Sequence, residues 1–231
     1  MQRAIDVTSA FALSVARLGA GLKVGPLGKR PEQLLELYEF EACPFCRKVR
    51  EALTFLDLDA VVYPCPKGGP TYRPKVGEEG GKTQFPFLED PNTGESMYES
   101  DEIVRYLFEK YGKGPVPFLY AGGPVYLFTS SIGIPLRGTK GMRYIPSRKP
   151  EQPLELYGME GSPYCRIVRE TLSSLEIPYV LHNVGKNSPN RAAFVERSGK
   201  MMVPYLVDPN TGTEMFESAD IKNYLLATYA A

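Results

Sequence analysis

The residues best equipped for chemistry in this 231-residue chain are Cys43 and Cys46, set in the run Cys43-Pro44-Phe45-Cys46. Pro44 suits the first position of a helix, because its missing N–H has no helical partner there. Cys43 then sits just before a helix whose unpaired N–H groups and dipole face its sulfur, which favours the thiolate. Arg47 and Lys48, one turn on, add positive potential. Cys46 follows after one turn, where its sulfur comes under that of Cys43. The pair can therefore close a disulfide or resolve a mixed one, with Cys43 as nucleophile and Cys46 as resolving thiol. The alternative for such a pair is half of a zinc site. No second Cys-x-x-Cys occurs, however, and the one histidine, His182, lies far along the chain.

The elements that must position this pair are legible on both sides of it. Leu35 to Phe40 alternates as a strand does, and Val49, Leu53 and Leu56 recur at helical spacing. Ala60 to Tyr63 and Phe85 to Leu88 read as strands, DPNTG as a hairpin turn, and Met97-Tyr98 as the return strand. A helix opens at Glu99-Ser100-Asp101 and carries Ile103, Val104, Leu107 and Tyr111. Between the second and third strands a loop or short helix is expected.

The whole pattern occurs twice. PEQLLELY at 31–38 returns as PEQPLELY at 150–157, and CPFCRKVRE at 43–51 as SPYCRIVRE at 162–170. PFLEDPNTG at 86–94 returns as PYLVDPNTG at 204–212, and YESDEIVRYL at 98–107 as FESADIKNYL at 216–225. Strands are expected at Leu154–Gly158, Tyr179–His182, Pro204–Val207 and Met215-Phe216, with helices at Tyr164–Leu175 and Glu217–Tyr229. The organisation read from this is an N-terminal helix and arm (1–30), a first unit (31–112), a Gly/Pro-rich linker (113–149) and a second unit (150–231). Ala4 to Leu18 forms a possible amphipathic helix, either a docking helix or the edge of an acid-poor organelle-targeting segment. The apolar patch Val125 to Phe128 is expected to pack on a domain.

Lys and Arg number 27, as do Asp and Glu, so no polyelectrolyte surface for nucleic acid or membrane is indicated. No apolar run reaches the roughly 18 residues of a membrane span. The cysteines, Cys43, Cys46, Cys65 and Cys165, are too few and too unevenly placed for a secreted disulfide framework. No secretory signal is read at the start, so an intracellular, reducing location is expected.

A strand ending in Cys-Pro-Phe-Cys-Arg, a Phe-Pro pair some 40 residues later and a Tyr-Glu-Ser-Asp helix start resemble glutaredoxins and the N-terminal domain of glutathione S-transferases. LYEFEACPFCRKVREAL also looks like the corresponding segment of the membrane-associated prostaglandin E synthase type 2 group. YPCPKGGP and QFPFLEDPNTG resemble plant-plastid and cyanobacterial proteins with tandem transferase N-terminal domains. The resemblance implies an α/β fold of two tandem thioredoxin-like domains, each a mixed four-stranded sheet flanked by helices. It also implies a plastid stroma or cyanobacterial cytoplasm, and no all-helical transferase domain is expected after either repeat.

Carried over by motif, Pro86 matches the cis-proline that turns the backbone of Phe85 toward bound glutathione. Pro44 and Phe45 line the same cleft, and Glu99 with Ser100 match the pair that holds the γ-glutamyl group. Glutaredoxins place a lysine three residues before the nucleophile; here Phe40 stands there and Glu41 follows, with Arg73 or Lys75 as candidate substitutes. Glutathione is thus expected as co-substrate and protein thiols or disulfides as partners. A [2Fe–2S] cluster held by Cys43 and glutathione is a further possibility that the resemblance permits. Cys65 reads as a buried or loop thiol, or else as an extra redox partner for Cys43. In the second unit Ser162 replaces the nucleophile and Val203 stands before the proline, while Cys165, Pro204, Glu217 and Ser218 remain. Such a unit is either kept for packing or binding, or uses Ser162 to hydrogen-bond a glutathione thiolate. His182 is assigned no role. The leading reading is a glutathione-linked thiol–disulfide oxidoreductase; the alternative is a non-catalytic scaffold.

Overall fold

The computed structural model describes residues 8, 9, 11, 17, 19–121, 123, 126 and 139–231. The first repeat runs β1 (Leu35–Glu39), α1 (Pro44–Leu56), β2 (Ala60–Pro64), α2 (Tyr72–Gly80), β3 (Phe87–Asp90), β4 (Glu95–Met97) and α3 (Ser100–Tyr111). The second runs β5 (Leu154–Gly158), α4 (Pro163–Ser174), β6 (Tyr179–Asn183), α5 (Arg191–Ser198), β7 (Tyr205–Asp208), β8 (Thr213–Phe216) and α6 (Ser218–Tyr229). Both are α/β units of thioredoxin-like order, as expected. The segment between strands two and three is a helix in each repeat. The linker holds a short 3-10 turn, Phe118–Tyr120.

Within each repeat the first and second strands are parallel and the third and fourth are added antiparallel. The apolar alternation of β1 puts Leu35 and Leu37 under α1 and α3, in a core with Val49, Leu53, Ile103 and Leu107. The other face packs Tyr38, Cys65, Val76 and Phe87 beneath α2. Asp90 fixes the end of its unit: it accepts hydrogen bonds from Tyr106 (2.7 Å), Tyr111 (2.5 Å) and Asn92 (2.8 Å). Asn92 in turn accepts from the backbone of Glu32 and Gln33. Asp208, Tyr224, Tyr229 and Asn210 repeat the arrangement. The shared DPNTG and Pro-Glu-Gln segments are thus tied to each other in space.

The repeats are joined edge to edge. β2 pairs antiparallel with β6, giving one eight-stranded sheet in the order β4-β3-β1-β2-β6-β5-β7-β8. Val61 faces Val180, its own counterpart in the repeat, so a pseudo-twofold axis passes between them. His182 lies on this seam, with Nδ1 2.8 Å from Asp59 and its ring stacked on Tyr157.

Above the seam, α1 and α4 face each other through a buried ion network. Arg47 and Arg50 meet Glu160, from the loop before α4, at 3.5 and 2.8 Å. Arg166 and Arg169 meet Glu41, from the loop before α1, at 3.0 and 2.9 Å. Arg50 also reaches Glu41 at 3.1 Å and pairs with Glu39, and Arg169 reaches Glu160 at 2.7 Å. Burial works against ionisation of Glu41, but Arg169, Arg50 and Arg166 outweigh it and hold its carboxyl at about 2. Removing one partner from such a network leaves a buried charge uncompensated, at a cost of about 3–5 kcal/mol.

The arms before the repeats are exchanged. Val24 donates to Lys186 O and Lys186 to Leu22 O, whereas Lys67 donates to Met142 O and Tyr144 to Lys67 O. Each arm therefore adds backbone pairing to the other repeat. Each also contacts the loop that leads into the other repeat's site. Gly21, with φ near +76°, would place a Cβ 2.9 Å from that of Glu160, and Gly141, at +70°, one 2.8 Å from that of Glu41. Only glycine fits both the conformation and the approach.

The expected helix over Ala4–Leu18 lies largely outside the described residues; Thr8, Ser9 and Phe11 are helical. Of the patch Val125–Phe128, Tyr126 is described. It is buried, and its hydroxyl donates to Pro44 O at 3.0 Å. No helix among the described residues is long and apolar enough to cross a membrane.

Candidate functional site

Cys43 caps the N-terminus of α1 in extended conformation, and its sulfur accepts the Cys46 N–H at 3.3 Å. Pro44 is the first helical residue. Hydrogen bonding from the Cys46 thiol lowers the Cys43 pKa; burial opposes it, and the N–H groups of Cys46 and Phe45 add to the lowering while Glu39 raises it. Cys46 is fully buried, and burial, with the thiol's bond to Cys43, pushes its pKa well above the ordinary thiol range. The two thiols are driven apart: the first toward the anion, the second toward the protonated form. Both are free thiols.

Arg47 and Lys48 do not act as the sequence suggested. Arg47 turns to Glu51 (3.0 Å) and Glu160, and Lys48 pairs with Asp101. The thiolate at Cys43 is favoured by hydrogen-bond donors of the first helical turn rather than by these cations.

Next to the buried Cys43, which is 5% exposed, the Phe45 ring is 44% exposed. The Phe85-Pro86 bond is cis. Phe85 meets Phe40 edge-on at 6.2 Å. Glu99 precedes α3 with φ +65° and ψ 113°, and its carboxylate accepts from Gln84 at 2.5 Å, which ties the start of α3 to the segment before Pro86. A positive φ at a non-glycine residue costs about 1–3 kcal/mol and clusters at functional sites. Ser100, the first residue of α3, is buried.

Of the two candidates for the absent lysine, Arg73 stands at this edge. Its guanidinium lies 4.6 Å from the Phe85 ring centre and 5.7 Å from that of Phe40, and it donates to Pro66 O and Cys65 O. Lys75 instead donates to the Tyr38 hydroxyl at 2.7 Å. Cys65 is buried beneath α2, and burial pushes its thiol pKa up, which fits an inert packing thiol.

Repeat two keeps the frame. Ser162 caps α4 with φ −78° and ψ 120°, against −78° and 121° at Cys43, and its hydroxyl accepts the Cys165 N–H at 3.3 Å. Val203-Pro204 is cis, Glu217 has φ +69°, and Ser218 is buried at the start of α6. Cys165 is buried, and burial raises its pKa. Among the described residues no cluster of three or more His, Cys, Asp or Glu side chains is placed to hold a metal ion.

Two features escaped the sequence reading. The Cys-Arg-x-Val-Arg-Glu segment persists in repeat two, where the nucleophile is gone, because its arginines build the ion network between repeats. The similarity of Gly21-Leu22-Lys23-Val24 to Gly141-Met142-Arg143-Tyr144 carries the duplication upstream into the arms. Both signals were present in the sequence.

These features define a thioredoxin-like unit with a two-cysteine helix start and a cis-proline, its frame duplicated in one chain. The model of the glutathione S-transferase N-terminal domain matches residues 37–115 and again 156–231. The chain belongs to the glutathione S-transferase N-terminal domain family. It is similar to a Bombyx mori glutathione transferase, with 28% identity over 37% of this chain and 39% of that one, at a TM-score of 0.34. It therefore spans well under half of that enzyme's length. A trimeric glutathione transferase from Leishmania is 14% identical, over 87% of this chain and 68% of that one, at a TM-score of 0.31. No curated protein matches the chain.

Proposed function

We propose that this protein is a glutathione-linked thiol–disulfide oxidoreductase that works through repeat one alone. The observation that carries the reading is the Cys43 sulfur at a helix N-cap, accepting the Cys46 N–H at 3.3 Å. The Cys43 thiolate attacks the glutathione sulfur of a glutathionylated protein. The protein thiolate leaves with the electron pair, and glutathione stays on Cys43 as a mixed disulfide. Cys46 then attacks the Cys43 sulfur and releases glutathione as thiolate, or a second glutathione attacks the sulfur of the bound glutathione, which yields glutathione disulfide and frees the Cys43 thiolate. Membership of the transferase N-terminal family supports glutathione as the co-substrate. The cleft is bounded by Phe45, Phe85, Pro86, Glu99 and Ser100, with Arg73 taking the glycyl carboxylate in place of the absent lysine.

Reduction of a glutathionylated peptide, followed with the native protein and with Cys43→Ser, tests this. Turnover by the native protein and none by the variant is expected; equal rates reject the reading. A second reading applies to repeat two. The positive φ of Glu217 and the buried Ser218 at the start of α6 favour a cleft that binds without reacting. Glutathione titrated into Cys43→Ser should still bind there.

A further inference from the structure

Glu39 ends β1, at a register where the two repeats differ. Leu35, Leu37 and Glu39 share the strand face that α1 covers, so Glu39 closes the row beneath the first turn of that helix. The equivalent residue in repeat two is Gly158. A Cβ built there would lie 3.0 Å from the Cys165 sulfur. In repeat two a side chain at this register would begin against the sulfur of the resolving position; in repeat one the Glu39 charge acts on both thiols. Repeat one has two cysteines and a carboxylate here; repeat two has one cysteine and no side chain.

Glu39 is 1% exposed. Its partner Arg50 stands four residues after Cys46, on the same stripe of α1. That guanidinium is shared with Glu41 and Glu160, so Glu39 is only partly neutralised. From α4, Arg169 adds positive charge, and Tyr179 of β6 and Cys65 at the end of β2 are the remaining titratable neighbours. Burial pushes the Glu39 carboxyl up; Arg50 and Arg169 oppose it, Glu41 and Glu160 reinforce it, and it rests at about 7.

We propose that Glu39 is the general base that takes the proton from Cys46 when Cys46 resolves the mixed disulfide on Cys43. This rests on the oxidoreductase reading above. With a thiol R–S joined to Cys43, the Cys46 S–H passes its proton to the Glu39 carboxylate. The Cys46 sulfur attacks that of Cys43, the bond from Cys43 to R–S breaks, and R–S⁻ leaves with its electrons and is protonated by solvent. Two external thiols later reduce the Cys43–Cys46 disulfide and are themselves oxidised to a disulfide; Glu39 returns its proton to Cys46, the two protons of the external thiols pass to solvent, and Cys43 is again a thiolate. Cys46 is buried and held protonated, so it needs a base; Cys43, already favoured as thiolate, does not. Glu39 takes a proton in the second step alone, while its charge also raises the Cys43 pKa.

The two steps separate with a chromogenic aromatic disulfide. Attack by Cys43 releases the first equivalent of coloured thiolate, and resolution by Cys46 releases the second. Stopped-flow rates are compared for the native protein, Glu39→Gln, Glu39→Gly and Glu39→Asp from about pH 5 to 9, with Cys46→Ala giving the first phase only. In Gln and Gly the first phase should not slow, because the Cys43 pKa loses a raising charge, while the second slows at least about tenfold at pH 7 and loses its inflection near neutrality. Glu39→Asp, which keeps a carboxylate, should retain the inflection. A second phase in Glu39→Gln with native rate and pH profile overturns the proposal. So does a uniform slowing with the profile unchanged, which would mark a purely structural role. A native protein that shows no first phase fails differently: it refutes the oxidoreductase reading itself.

Discussion

At Cys43 and at Ser162 the backbone does the same thing. Each caps a helix with nearly identical dihedrals, accepts an N–H at 3.3 Å, and is accompanied in its repeat by a cis X–Pro bond. The difference is confined to side chains: sulfur against oxygen at the cap, and carboxylate against hydrogen at the register of Glu39 and Gly158. The comparison teaches that the geometry of the cleft and the shared arginine motif are maintained by the joint between repeats, whereas reactivity rests on very few atoms. A hydroxyl in the same field of N–H donors remains a hydroxyl, because its pKa is too far from neutrality for a cap to ionise it.

The largest effect should come from exchanging those atoms. Cys43→Ser turns the first cap into the second and should cut disulfide exchange by about 10³-fold or more, read as turnover of a glutathionylated peptide. The reverse change, Ser162→Cys, should yield a thiol that alkylates faster at neutral pH than Cys165 does. An inert thiol in the Ser162→Cys variant would mean that repeat two has lost more than its sulfur.

Next comes the symmetry of the joint. Glu41→Gln and Glu160→Gln remove equivalent carboxylates from the buried arginines. Each should cost about 3–5 kcal/mol in denaturant unfolding, and the two losses should agree within about 1 kcal/mol. A loss at one position only would break the pseudo-twofold account. Acid should act on the same groups. The carboxyls of Glu41 and Glu160 are depressed in the folded state, that of Glu41 to about 2, so their stabilisation is present above the ordinary carboxylate range and is lost as pH falls below it. The midpoint of thermal unfolding should accordingly fall as pH drops below about 4.5, and Glu41→Gln should flatten that decline.

The smallest effect concerns the ends of the units. Asp90→Asn and Asp208→Asn each weaken the bonds from two tyrosines and should destabilise by about 1–3 kcal/mol, equally in the two repeats, measured by chemical denaturation.

Much of this was legible in the chain. The duplication, the helix start at Pro44, the strand runs and the DPNTG hairpins follow from local pattern, which is set by residues near one another in sequence. The cis form at Phe85-Pro86 matched what the motif implied for Pro86, and its counterpart Val203-Pro204 is cis as well. The joint was not legible. Alternation shows which face of β2 is apolar but not what its free edge pairs with, so the β2–β6 seam left no one-dimensional trace. Nothing local paired Arg47, Arg50, Glu41 and Glu160 with one another, because each meets a buried partner more than 100 positions away. Arg47 and Lys48 were assigned to the thiolate because sequence places them beside it, yet Arg47 pairs with Glu51 and Glu160 and Lys48 with Asp101.

The account turns on the Cys43 sulfur being an anion at neutral pH. Its pKa is measured most directly from the rate of alkylation by iodoacetamide against pH, with the modified peptide identified by mass spectrometry. An inflection well below the ordinary thiol value of about 8.5 is predicted for Cys43, while Cys65 and Cys165 stay unmodified. An inflection at or above about 8.5 would contradict the account and leave a duplicated scaffold without redox chemistry.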